Sequence, residues 1–272
     1  MSRTLRALHA QLAAFFLLVL VQPSILAGPS TNRSVLHVAA ESGDLPTVIA
    51  SLRAGAALED VDWTNETPLL KAARFGRTEV VAELLRAGAT VQVQHSLPVA
   101  ARYGHGAVVQ LLVAAGAEPD VKDHSIKRMV RYDTPLMVAS TYGQTEAVQA
   151  LLDGGAQANA QNAIGRTALI CAAIEGHADT IAALLGGGAE VDLPDDKGYV
   201  PLMFASTGGH ERAVHVLLDG GAFVNRASGD GFTAVMIASM HGSLAATKLL
   251  LGAGANPNAR TYGISTTLHC RI

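Results

Sequence analysis

The chain has 272 residues, with 20 Lys and Arg against 23 Asp and Glu for a formal net charge of −3, and 49% of it is hydrophobic although only 4% is aromatic. That balance disfavours a nucleic-acid-binding domain, which usually carries a basic face, and two cysteines cannot make a disulfide framework. So few aromatic side chains also argue against a large aromatic-lined cavity.

Met1 to His9 carries Arg3 and Arg6 with no acid, Leu12 to Val21 is uniformly apolar, and Gln22 to Ala27 ends on a small residue. A basic start, a short apolar run and a small-residue exit are the three parts of a secretory signal peptide. The apolar run is too short for an ordinary membrane span. Residues 1–27 are therefore expected to direct the chain to the secreted or endomembrane-lumen route, with an uncleaved signal anchor, a mitochondrial presequence and a cytoplasmic chain as alternatives. Residues 28–33 read as a linker. Cleavage would remove Arg3 and Arg6 and no acid, leaving the mature chain more acidic. On that route Asn32 and Asn65 head Asn-X-Ser/Thr glycosylation acceptors.

A frame then recurs, starting at Ser34, Thr67, His95, Thr134, Thr167, Val200, Thr233 and Thr266, with most steps 33 residues long. Such regularity marks a repeat stack. Five residues into each unit stand Ala39, Ala72, Ala100, Ala139, Ala172, Ala205 and Ala238, small enough to let neighbouring helices approach closely. A glycine follows at the ninth place, and Gly-Ala pairs such as Gly55-Ala56 and Gly254-Ala255 close the unit, where two helices must stop. Between the stops, residues such as Val80, Val81, Leu84 and Leu85 keep helical spacing. Pro68, Pro135 and Pro201 fall on the first helical position, after N-capping residues such as Thr67 and Thr134. Links such as Asn162-Ala163-Ile164-Gly165-Arg166 carry tight-turn chemistry.

On segments such as TPLLKAARFG at Thr67, TALICAAIEG at Thr167 and VPLMFASTGG at Val200, the chain resembles the ankyrin repeat family. The resemblance implies an all-α solenoid of helix-turn-helix units with short β-hairpin fingers, about seven complete repeats plus a truncated one. The units are expected at 34–66, 67–94, 95–133, 134–166, 167–199, 200–232 and 233–265, with 266–272 the start of an eighth. The link into the third unit is too short for a full finger, and the next, Glu118 to Asp133, is long and basic. The broken-off eighth unit implies that the stack's end is covered by a partner, that it frays, or that the chain is a fragment of a larger protein.

The resemblance also implies a protein-protein interaction module that binds a peptide or folded partner on a concave face lined by finger tips and first-helix ends. Those positions hold Arg74, Phe75, Arg102, Tyr103 and Tyr142 on the helices and Trp63, Arg166, Tyr199 and Phe232 on the fingers. Aromatic residues and Arg dominate binding hot spots, so an acidic-apolar peptide or a folded partner lying across the second to fourth units is expected. The competing reading packs these rings on the next unit for stability alone. Lys71 stands where other units are apolar, and its stem is expected along the core edge with the amine reaching out. Neither enzyme activity nor a cofactor, metal or small-molecule substrate is expected: the histidines are whole units apart and no catalytic motif is present. The histidines after the helix-stopping glycines, His105, His177 and His210, are expected to hydrogen-bond between units. The alternatives to a secretory module are an intracellular adaptor or scaffold without a true signal peptide and the fragment already named.

Overall fold

The computed structural model describes residues 33–121 and 133–261. Within them lie fourteen helices: α1 Val35–Ser42, α2 Leu45–Arg53, α3 Pro68–Arg74, α4 Thr78–Arg86, α5 Val93–Arg102, α6 Gly106–Ala114, α7 Pro135–Thr141, α8 Thr145–Asp153, α9 Ala168–Glu175, α10 Ala178–Gly186, α11 Pro201–Thr207, α12 Glu211–Asp219, α13 Ala234–Met240 and α14 Leu244–Gly252. They pair in chain order. Odd-numbered helices pack on odd ones and even on even, from α1 on α3 to α12 on α14, so each pair touches its neighbours and the protein is a linear stack. Residues 1–27, the linker up to 32, Asn32, the basic part of the long link and the eighth-unit start at 266–272 lie outside the described residues.

The repeated frame explains these contacts. Leu36, Leu69, Leu97, Leu136, Leu169 and Leu202 are fully buried at one frame position, and Leu84, Leu112, Leu151, Leu184, Leu217 and Leu250 at another. Each such leucine contributes about 1.5–3 kcal/mol when taken from water. The seven alanines of the frame are buried between successive odd helices, where a larger side chain would force them apart. Thr67, Thr134 and Thr167 cap α3, α7 and α9 by accepting from the N–H groups of Leu70, Met137 and Ile170. Pro68, Pro135 and Pro201 open their helices. The stack is also sewn together by imidazoles: Nε2 of His105, His177 and His210 donates to the carbonyls of Arg74, Thr141 and Ile174 in the preceding pair, at 2.9–3.1 Å.

The expected β-hairpin fingers are a correction. Among the described residues there is no strand, only an isolated bridge between Ala227 and Thr233. Four links instead close as one recurring turn, at 62–66, 162–166, 195–199 and 228–232. In each, the first residue's N–H donates to the fifth residue's carbonyl at 2.9–3.1 Å, and its own carbonyl accepts from the fourth at 2.9–3.1 Å. Its side chain, Asp62, Asn162, Asp195 or Ser228, accepts from backbone N–H groups inside the loop. Side-chain closure satisfies a five-residue loop without a ladder. The third unit differs again, since α5 starts at Val93, so the boundary expected between 94 and 95 falls inside its first turn. Gln92 replaces the missing finger there. Its amide accepts from Thr67 N–H and donates to the Asn65 carbonyl, both at 3.0 Å.

Candidate partner-binding surface

Phe75, Tyr103 and Tyr142 are the residues that end α3, α5 and α7, and their backbone angles agree closely (φ −96, −91 and −95°). Equivalent backbones in successive pairs project the rings from one register. All three are exposed, at 42%, 49% and 39%. The Arg102 guanidinium lies over the Tyr142 ring, 4.8 Å from its centroid, and 5.9 Å from that of Tyr103. A groove of about 540 Å³ runs beside them, with Leu70, Pro98 and Val99 as apolar lining and Arg74, Arg102, Tyr103 and His95 among its polar and aromatic walls. Phe75 lines a smaller neighbouring depression with Val38 and Arg77.

The remaining sequence candidates do not converge on that groove. Trp63 is 70% exposed on the first finger. Arg166 and Tyr199 line a separate hollow of about 460 Å³ between later fingers, together with Phe204, Asp195 and Asp196. Arg166 lies over the Phe204 ring at 5.3 Å. Phe232, like Tyr199, is half-buried and packs partly on the core. Asn65 is exposed, in the left-handed conformation at φ 63°.

Lys71 is the second correction. Its amine does not reach out: the residue is buried, with Nζ 2.9 Å from Asp62 Oδ2 and 3.0 Å from Glu66 Oε2. Glu66 also pairs with Arg74, and Glu41 stands 4.0 Å from the same amine. Burial alone would push the Asp62 carboxyl up, but hydrogen bonds from Thr64, Lys71 and the backbone of Thr64 and Glu66 outweigh it and hold the acid well below the usual carboxylate range. Burial likewise pulls the Lys71 amine down, and Asp62 and Glu66 more than reverse that. The cluster was partly legible, because Glu66 and Lys71 depart from the frame in the same unit. Their meeting depends on the finger folding back over α3.

Among the described residues no group of three His, Cys, Asp or Glu could hold a metal ion, and no helix is long and apolar enough to cross a membrane. Compared with known families, the chain matches the profile described as ankyrin repeats three times, over residues 7–95, 97–195 and 182–261. The first match reaches into the segment read as a signal peptide. No curated protein matches the chain at a significant level.

Proposed function

We propose, from the premise that this chain belongs to the ankyrin repeat family, that it binds a protein partner along the concave face of its second to fourth helix pairs. The observation that carries the reading is the exposed stripe of Phe75, Tyr103 and Tyr142, with Arg102 laid on it. Rings serving only stability would be covered by the next pair, and in a chain with so few aromatics these three are left open in register. The partner is a peptide or folded protein, because hot spots of this composition suit desolvated apolar contact flanked by charge.

The triple variant Phe75→Ala, Tyr103→Ala, Tyr142→Ala is expected to lose partner capture while its thermal midpoint falls only slightly, since exposed truncations usually cost within about 0.5 kcal/mol each. Affinity capture with the native chain and the variant side by side, with melting curves on both, checks this. A large fall in midpoint with capture intact would assign the rings to stability.

The secretory route rests on residues 1–27 and is proposed with them. Expressed in a eukaryotic host, the chain is expected to carry a glycan at Asn65, seen as a mobility shift that glycosidase removes. Asn65→Gly should abolish the Asn65 glycan without lowering the thermal midpoint, because glycine takes a positive φ more readily than asparagine. An unglycosylated chain retaining Met1 would instead support an intracellular adaptor.

A further inference from the structure

We infer that the groove beside α5 receives a carboxylate side chain of the partner, an Asp or Glu next to an apolar residue, and that Arg102 is the group that recognises it. This deepens the binding reading above and rests on it. Of the cations around this face, Lys71 is matched by Asp62 and Glu66, Arg74 by Glu66, and Arg77, beside Phe75 and away from the groove, donates to the Glu41 carbonyl. Arg102 makes no ion pair among the described residues. It is exposed and held by ring faces instead.

Held over the Tyr142 ring and making no ion pair, the guanidinium keeps N–H groups for a partner, and its planar fork suits a carboxylate that accepts two of them at once. The stack also orders the side chain in advance, which lowers the entropy lost on binding. Beside it, Leu70, Pro98 and Val99 offer apolar surface to the residue next to the acid. A dianionic phosphate fits less well. Phosphate recognition ordinarily uses several arginines, and here Arg74 is neutralised by Glu66, whose carboxylate lines the same groove and repels a second charge.

The test uses a displayed library of random linear peptides panned on the full chain, with affinities of the recovered peptides read by fluorescence anisotropy. Recovered sequences are expected to share an Asp or Glu beside an apolar residue. Changing that acid to its amide should weaken binding about tenfold or more, Arg102→Ala should weaken it equally, and combining the two should add little further, as for a direct pair. Arg102→Lys should recover only part, because an ammonium neither stacks nor forks as well. Circular dichroism on each variant separates a lost contact from a lost fold. Peptides that lose affinity in the triple aromatic variant but not in Arg102→Ala would overturn this inference and leave the surface itself standing. Binding that requires a phosphorylated residue would overturn the carboxylate assignment. A library yielding no peptide sensitive to the aromatic stripe would overturn this inference, and the capture comparison with the triple aromatic variant then decides the surface itself.

Discussion

Lys71→Ala is expected to destabilise the protein by about 3–5 kcal/mol, the range seen when one partner of a buried ion pair is removed. The cause is what remains. Asp62 and Glu66 stay buried at the base of the first finger, and without the amine Asp62 loses its ion-pair partner while Glu66 keeps only Arg74. Asp62 could escape only by taking up a proton on Oδ2, the oxygen the amine had faced, while Oδ1 goes on accepting from the Thr64 and Glu66 N–H groups, and that proton uptake is itself part of the loss. Later units show how to remove the problem. Where the first finger and α3 place Glu66 and Lys71, the finger at 195–199 and α11 place Tyr199 and Phe204, which pack together with centroids 5.9 Å apart. The double variant Glu66→Tyr, Lys71→Phe should therefore recover part of the loss, with Asp62 then held, as Asp195 is, by the N–H groups of its own loop. Urea unfolding of the native chain, single variant and double variant decides it, and a double variant no more stable than the single one would show that the cluster is not the source.

The same cluster gives the protein a pH signature. Asp62 is held below its ordinary value near 3.8, so its stabilisation is complete above that value and drains away as the pH falls below it. Lys71 is raised above its ordinary 10.5, so its contribution persists below that value and is lost as alkali passes the raised one. The midpoint difference between the native chain and the apolar double variant should stay level between those limits and shrink in acid. A difference unchanged well below pH 3.8 would contradict the assignment.

Gly165→Ala is expected to cost roughly 2–4 kcal/mol, combining backbone strain with overpacking. Gly165 has φ +73°, and a Cβ there would stand 2.4 Å from Asp196 Oδ1 and 2.5 Å from the Asp196 backbone nitrogen of the next finger. A side chain could swing away, but the amide cannot without disturbing its own finger. Gly55→Ala is the control. Gly55 has φ +80° with open space around its missing Cβ, so alanine there meets only the strain, about 1 kcal/mol. The gap between the two losses in urea unfolding isolates the contact between fingers. Equal losses would mean that the fingers do not support one another. The comparison also accounts for Asn65, which holds the place of Gly165 in its own turn: the short link after it brings no finger tip, only the Gln92 side chain, so an exposed residue with a Cβ fits.

Much of the architecture could be read before any coordinates. The recurring leucines, the small alanines, the N-capping threonines before Pro68 and Pro135, and the histidines that bond the preceding pair all follow from one frame, because in a stack every contact is made with the same neighbour in the same register. The groove was half legible. The frame put Phe75, Tyr103 and Tyr142 at one position, and the structure leaves them open there, but it could not say that Arg74 is neutralised by Glu66 while Arg102 is cradled by rings. Tyr199 and Phe232 show a middle case, finger aromatics that lean partly on the core.

The amino-acid order by itself determined the stacked helix pairs, since a periodic set of short-range contacts repeats its own instructions unit after unit. Only the tertiary structure decided that Lys71 is buried, that the fingers close through side chains without a ladder, that α5 begins early, and that of the two arginines lining the groove Arg74 is ion-paired and Arg102 is not. Those outcomes depend on non-equivalent residues meeting where the repeat is broken, and pairings of that kind are set by distance in space, on which the interval along the chain is silent.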